Sequence, residues 1–126
     1  AYVGYSEPLA HLVEAGCSVF AMPSRYEPCG LNQMYSLRYG TPPVVRDPGG
    51  LADTVVDADP RSIARGEATG FVFEDATSAA LQDALARAIA LYDKPKQWMK
   101  LIKNGMREDH SWRRSAEQYL RLYRAD

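Results

Sequence analysis

Short apolar runs, each followed by turn residues, mark the first part of the chain. The run from Ser18 to Met22 is continuous rather than alternating, which is typical of a strand that helices cover on both faces. Three further runs predict short strands at 2–4, 43–47 and 69–75. In the last of these, Phe71 and Phe73 are expected on one side of a sheet and Val72 on the other.

Helical patterns follow the strands and dominate the end of the chain. Ser6 is positioned to cap a helix that closes at Gly16 and carries Leu9, Leu12 and Val13 on one face. The remaining helices are predicted at 31–39, 51–56, 81–92, 95–105 and 112–123, with a loop at 57–68. Gly40 and two prolines stop the second helix, and Ser111 is a candidate cap for the last. The large side chains expected to pack in the helical tail are Trp98, Met99, Trp112 and Tyr119.

Strands that alternate with helices predict an α/β fold, a Rossmann-like parallel sheet with right-handed crossovers and flanking helices, followed by a helical tail. Four short strands are few for a complete domain of this type. The chain also begins without Met and as if already inside a strand. We therefore expect Ala1 to be an internal boundary of a longer protein.

Composition excludes several classes of partner. The 15 Lys and Arg residues balance 16 Asp and Glu residues, so the net charge of -1 gives no reason to expect nucleic acid or an anionic membrane. No apolar run approaches the roughly 20 residues of a spanning helix. The two cysteines, Cys17 and Cys29, are too few for a disulfide scaffold, which favours a reducing, cytoplasmic setting.

The chemically distinctive residues lie where the predicted strands end. In a parallel sheet, ligands bind outside the carboxyl ends of the strands. The three turns expected there contain Tyr5 and Glu7, then Arg25, Glu27 and Cys29, then Arg46, Asp47, Gly49 and Gly50. These turns are therefore expected to converge on one edge.

The sequence "EPCGLNQ" gives the sharpest chemical signal. Gly30 permits close approach to the backbone, and the free amides that open the next helix, near Gly30, Leu31 and Asn32, suit a pyrophosphate without a metal ion. Glu27 is suited to hydrogen-bond sugar hydroxyls. An equally supported interpretation is that Gly30 only opens the turn and Glu27 caps the helix.

At several other positions a structural role is favoured over a chemical one. Gly49 and Gly50 are typical of an ordinary tight turn, and Cys29 lacks a nearby general base, so packing or a backbone contact is favoured over a nucleophile. Tyr5 either closes the core or stacks on a base. Two isolated histidines, His11 and His110, indicate no metal site.

The stretch "PSRYEPCGLNQMYSLRYGTPPVVRDPGGLADTV" closely resembles the motif block of bacterial glycogen synthases and plant starch synthases. The resemblance continues through "GYSEPLAHLVEAGCSVFAMPS", "ATGFVFED" and "SWRRSAEQYLRLY", and so covers nearly the whole chain. It implies a retaining glucosyltransferase of the GT-B type, with two facing Rossmann-like domains. Such an enzyme transfers glucose from ADP-glucose to the non-reducing end of an α-1,4-glucan.

The resemblance also implies a role for each residue of the motif. Glu27 is the expected catalytic residue and contacts the donor glucose, and Tyr5 packs beside adenine. The expected ligands of the donor sugar and phosphate are Cys29, Gly30, Leu31 and Asn32. Asn32 replaces the usual Thr of the family. Tyr35 occupies the position at which many related glycosyltransferases have a second glutamate, and it is assigned to the nucleotide because of that position. The family uses no metal and no cofactor.

Residues 1–126 would then be part of the C-terminal nucleotide-sugar-binding domain, without the N-terminal glucan-binding domain. The fragment alone is expected to be inactive and to associate with itself through exposed edges or faces. The alternatives are a non-catalytic nucleotide- or glucan-binding module, or a related enzyme that uses UDP-glucose. Tyr35 argues against a sucrose- or trehalose-type enzyme.

Overall fold

A computed structural model of the protein describes residues 3–47 and 49–124. Three strands and six helices are defined within these ranges. The strands are β1 (Phe20–Met22), β2 (Pro43–Arg46) and β3 (Phe71–Phe73). The helices are α1 (Glu7–Gly16), α2 (Asn32–Tyr39), α3 (Pro60–Arg65), α4 (Ser78–Tyr92), α5 (Pro95–Arg107) and α6 (Trp112–Tyr123).

The three strands form one parallel sheet in the order β1-β2-β3. Ala21 pairs with Val44, and Val44 pairs with Phe71. Helix α2 contacts β1 and β2, and α4 contacts β2 and β3. The predicted α/β fold with a parallel sheet and flanking helices is confirmed. The strand predicted at 2–4 is not formed at Val3 and Gly4, while Tyr2 lies outside the described residues.

Two apolar clusters cover opposite faces of this sheet, because Val44 and Val45 are neighbours in β2 and point to opposite sides. The larger cluster joins Val44, Phe71 and Phe73 to Ala84, Ala88, Leu91, Trp98 and Leu101 of α4 and α5. The smaller cluster comprises Met22, Val45, Leu51 and Val55, with Phe20 and Val72 packed against it. The expected separation of Val72 from its two phenylalanine neighbours is confirmed.

Local end signals account for the helix boundaries. The Ser6 side chain accepts a hydrogen bond from the Leu9 amide and caps α1, as predicted. Gly40 ends α2 in the left-handed conformation. Ser111 occupies the N-cap of α6, but its side chain makes no capping hydrogen bond.

Two predictions between β2 and β3 are wrong. Residues 51–54 form turns rather than a helix. The predicted loop at 57–68 contains α3, which begins because the Asp59 carboxylate accepts hydrogen bonds from the Arg61 and Ser62 amides and Pro60 opens the first turn.

The packing predictions fail where no described residue covers the apolar surface. Trp98 is buried, whereas Met99, Trp112 and Tyr119 are exposed. The predicted apolar face of α1 is also exposed, with Leu12 70 % accessible. In β1 only Met22 is buried and Ala21 is exposed, so this strand is not covered on both faces as predicted.

Within residues 3–47 and 49–124, no helix is long and apolar enough to cross a membrane. In the same ranges, no group of three His, Cys, Asp or Glu side chains is arranged to hold a metal ion. Cys17 and Cys29 are free and exposed thiols.

Candidate functional site

The turn between β1 and α2 lies at the carboxyl edge of the sheet, and Gln33 organises its second half. The buried Gln33 Nε2 donates to the carbonyl oxygens of Cys29 and Gly30, both at 3.1 Å, and to the Thr54 hydroxyl at 3.2 Å. Gly30 has φ 68°, and a Cβ there would lie 2.6 Å from Gln33 Oε1. Only glycine fits this position without displacing Gln33.

The glycine pair after β2 packs directly against this turn. Gly49 has φ 96°, and a Cβ there would overlap the carbonyl oxygen of Glu27. A Cβ on Gly50 would lie 2.8 Å from the carbonyl oxygen of Cys29. The pair is therefore more than the ordinary tight turn that the sequence favoured, because both glycines allow two turns to touch through their backbones.

Helix α2 begins without a side-chain cap. Leu31 occupies its N-cap, makes no capping hydrogen bond, and is among the residue types least suited to that position. The amides of Gly30, Leu31 and Asn32 donate no hydrogen bond to any other residue in the described ranges. The suggestion that Glu27 caps this helix is therefore wrong. The helix end instead presents free N–H groups and a partial positive charge.

The predicted residues of this turn are contiguous and accessible. Glu27 and Gly30 are half-buried, whereas Cys29, Leu31 and Asn32 are exposed. The Cys29 carbonyl is held by Gln33, so the contact made by Cys29 with the rest of the protein is through its backbone. The turn can therefore offer a carboxylate, a bent backbone and free amides within six consecutive positions.

Tyr5 and Asn32 line one shallow cavity of about 260 Å³. Tyr5 is 88 % exposed, so it is not part of the core that the described residues form. The residue expected to bind the nucleotide and the last residue of the segment expected to bind phosphate thus line the same cavity.

Glu14 lines the same cavity but is almost completely buried. Burial raises the pKa of its carboxyl group, and the nearby His11 opposes this shift. Its Oε2 atom has no hydrogen-bond partner within the described part of the chain. Burial of the Glu14 carboxyl group therefore costs free energy of folding.

Tyr35 lies one turn into α2 and faces α1. Its ring centroid is 5.4 Å from that of His11, whose Nδ1 is also 3.1 Å from the Tyr39 hydroxyl. Together with Leu31, Tyr35 lines a separate cavity of about 470 Å³ beside residues 108–111. Leu31 and Asn32 therefore border the cavities of Tyr35 and Tyr5, respectively.

Sequence reasoning did not single out Gln33, and it placed Arg46 at this edge without giving it a role. Gln33 lies three and four residues before the buried Ser36 and Leu37, a spacing that indicates an inward-facing position. Arg46 ends β2 and donates to backbone carbonyls of three turns, which no local pattern indicates.

Comparison with known proteins identifies relatives of this chain. The glycogen synthase of Thioalkalivibrio sulfidiphilus is 66% identical over 98% of this chain, and that of Rhodopirellula baltica is 55% identical over 98%. The matches cover 26% and 24% of those proteins, so the chain spans about a quarter of their length.

A solved structure and a family model give the same assignment. The catalytic domain of starch synthase IV from Arabidopsis thaliana, bound to ADP and acarbose, is 42% identical with a TM-score of 0.85, over 96% of this chain and 25% of that one. A sucrose-phosphate synthase from Thermosynechococcus elongatus is 29% identical with a TM-score of 0.69, over 98% and 29%. The family model "Glycosyl transferases group 1" matches residues 2–105. The chain therefore belongs to the group 1 glycosyl transferases.

Proposed function

We propose that this chain is the donor-binding part of a glycogen synthase. The complete enzyme would transfer glucose from ADP-glucose to the non-reducing end of an α-1,4-glucan, with retention of configuration. The observation that carries the proposal is the uncapped start of α2. The turn before it, from Glu27 to Cys29, packs through its backbone against a glycine pair. High identity to glycogen synthases and the ADP in the Arabidopsis structure support the same donor.

In this proposal the diphosphate lies against the amides of Gly30, Leu31 and Asn32. These donors are fixed before substrate arrives, so they can stabilise the charge that develops on the departing ADP without reorganisation. Glu27 contacts the glucose, with Cys29 contributing its backbone. Helix amides supply positive potential, so the proposed mechanism uses neither a metal ion nor another cofactor.

The nucleoside is assigned to the surface beyond this turn. Tyr5 borders the Asn32 cavity and has an exposed ring on which adenine can stack. Tyr35 is assigned to the nucleotide from its place beside Leu31. Because its ring also packs on His11, we expect its contribution to be smaller than that of Tyr5.

The chain by itself is proposed to bind the donor weakly and to transfer nothing. Glucan-binding and further catalytic groups would come from an N-terminal domain, and transfer needs both halves to position the reacting atoms. Residues 1–126 would then be part of the C-terminal domain. The exposed thiols of Cys17 and Cys29 support a cytoplasmic setting for this enzyme.

We also propose that the isolated chain associates with a second copy of itself. The exposed apolar face of α1 and the unpaired outer edge of β1 among the described strands support this association.

A chimeric enzyme tests the proposed activity. Residues 1–126 replace the matching stretch of the Thioalkalivibrio sulfidiphilus glycogen synthase, and incorporation of labelled glucose into glycogen is measured. We expect the chimera to use ADP-glucose, and Glu27→Ala to lower kcat by at least about 100-fold. Glu67→Ala, an exposed carboxylate at the opposite end of the sheet, is the matched control and should leave kcat unchanged.

Three results would contradict the proposal. A folded chimera without transferase activity would refute the enzyme function and favour a non-catalytic binding module. Full activity of Glu27→Ala would refute the role of that residue. Calorimetry of the chimera compares the affinities for ADP and UDP. Tighter binding of UDP would identify UDP-glucose, rather than ADP-glucose, as the donor.

A further inference from the structure

Arg46 connects three strand ends at the carboxyl edge of the sheet. Its Nε donates to the Ser24 carbonyl at 2.9 Å and its Nη2 donates to the Arg25 carbonyl, both in the turn after β1. Its Nη1 donates to the Glu74 carbonyl after β3 at 3.1 Å and, more weakly, to that of Asp47 at 3.4 Å. One half-buried side chain therefore holds backbone from every strand of the sheet.

The guanidinium group is specifically suited to this task. It presents five N–H donors in a rigid plane, so a single residue can reach carbonyls that approach from several directions. Hydrogen bonds from a charged donor are about twice as strong as those between neutral groups. A lysine ammonium carries the same charge but concentrates its three donors at one point, and cannot span the three turns.

Arg46 is not engaged as an ordinary ion pair. None of the ion pairs formed within residues 3–47 and 49–124 includes it. Arg87 differs in this respect, because it pairs with the Asp57 carboxylate while also donating to the Val72 carbonyl at 2.7 Å. The donors of Arg46 are committed instead to backbone, and to the carbonyls two and three residues ahead of Glu27.

The contacts of Arg46 complete the support of the turn. Gly49 and Gly50 pack against the backbone from Glu27 to Cys29, and Gln33 holds the carbonyls of Cys29 and Gly30. Without Arg46, the entry to the turn at Ser24 and Arg25 would lose its only side-chain hydrogen bonds among the described residues. The position of the Glu27 carboxylate would then be free to shift relative to the amides of α2.

We infer that Arg46 is a positioning residue for donor transfer, which fixes the 24–30 turn by binding carbonyl groups from three strand ends. The inference rests on the proposed function, since it assigns the turn to the sugar donor. Arg46 acts by holding Glu27 and the α2 amides in position rather than by contacting the substrate.

Kinetics of the chimeric enzyme test this role. Arg46→Gln is expected to lower kcat/KM for ADP-glucose by about 10- to 100-fold, because a small displacement of a reacting group is that costly, while KM for glycogen stays unchanged. Arg46→Lys should be impaired to a similar extent. Arg87→Gln is the matched control: it also removes a half-buried guanidinium but should leave kcat/KM for ADP-glucose within about twofold, since its polar partners Asp57, Asp83 and Val72 lie outside the 24–30 turn.

Hydrogen exchange gives a readout that does not depend on activity. Mass spectrometry should show faster amide exchange in peptides covering 23–31 for Arg46→Gln, and in peptides covering 56–58 and 72 for Arg87→Gln. Unchanged exchange at 23–31, or full activity of Arg46→Lys, would overturn the inference; the latter would assign the effect to charge alone. A folded parent chimera that transfers no glucose would instead refute the proposed function, whatever the exchange data show.

Discussion

The two outer edges of the sheet are built differently. On the β3 edge, the Val72 amide donates to the Asp57 carboxylate at 2.6 Å and the Val72 carbonyl accepts from Arg87 at 2.7 Å. The Ala58 amide also donates to the Gly70 carbonyl at 2.8 Å. On the β1 edge, no strand or side chain of the described residues pairs with the backbone. Side chains, together with the backbone at residues 57–58, thus take the place of a neighbouring strand at the β3 edge only, among the described residues.

The apolar packing follows the same division. The β3 end is covered by α4 and α5, which bury Phe71, Trp98 and Leu101. At the β1 end, α1 leaves Leu12 and Val13 exposed and instead buries the carboxyl group of Glu14. This comparison predicts that stability is concentrated at the β3 end, because the β1 end leaves apolar side chains exposed. The turn proposed to face the donor directly follows β1.

The largest expected effect on stability comes from removing the buried side chain of Phe71 at the β3 end. Phe71 is 1 % exposed and its ring centroid is 6.4 Å from that of Trp98. Phe71→Ala should lower the free energy of unfolding by about 3–5 kcal/mol, because it removes buried apolar surface and leaves a cavity. Guanidinium unfolding of the 126-residue chain, followed by circular dichroism, measures this change.

Leu12→Ala is the matched truncation at the β1 end. The side chain is 70 % exposed, so we expect a change within about 0.5 kcal/mol. Equal losses for Phe71→Ala and Leu12→Ala would show that both ends contribute alike, and would contradict the comparison.

The sequence correctly predicted those helices and strands whose ends and buried faces are determined by neighbouring residues. Ser6 and Gly40 mark helix ends by their own chemistry, and the alternation around Val72 placed β3 correctly. The loop prediction at 57–68 was wrong because Asp59 and Pro60 suit the start of a helix as well as a turn. An apolar face predicts burial but does not say what covers it, which explains the error at Trp112.

The candidate site was predictable only in part. Gly30 and Glu27 belong to one short motif, so their turn could be located from sequence. Gln33 and Arg46 act through partners 21 and 28 residues away, which only the folded chain brings together. Residues that hold a site are harder to find than residues that form it, because their signals are long-range.

A smaller, pH-dependent effect is expected at Glu14, at the β1 end. Its folded-state pKa is raised above the ordinary value of 4.5, so the folded chain binds its proton more tightly than the unfolded chain. Stability therefore falls as the pH rises from about 4.5 through the folded-state pKa, and the loss is complete above it. Glu14→Gln removes the ionisation and should stabilise the chain by roughly 1 kcal/mol at pH 7.

Thermal unfolding from pH 4 to pH 8 measures this difference. The gain should shrink towards zero near pH 4, where the parent carboxyl group is protonated in both states. Gln82→Glu, an exposed change of opposite direction on α4, provides a control for net charge. A gain of the same size at every pH would show that packing, rather than ionisation of Glu14, determines the effect.

The smallest change in stability, but a clear change in assembly, is expected from the exposed face of α1. Replacing Leu12 and Val13 by Lys should alter the free energy of unfolding by no more than about 0.5 kcal/mol per site, because both residues are exposed, at 70 % and 48 %. Light scattering at high protein concentration should show a mass above 14.0 kDa for the parent and a monomer for the double variant. Ile89→Lys places the same charge on an exposed aliphatic position of α4, at the covered end, and should leave association unchanged.

If the Ile89→Lys variant is a monomer while the α1 variant still associates, the self-association surface lies at the β3 end, and the proposed distinction between the two ends is wrong. If the parent is already a strict monomer, its exposed apolar face is not sufficient for association, and the proposed self-association is excluded.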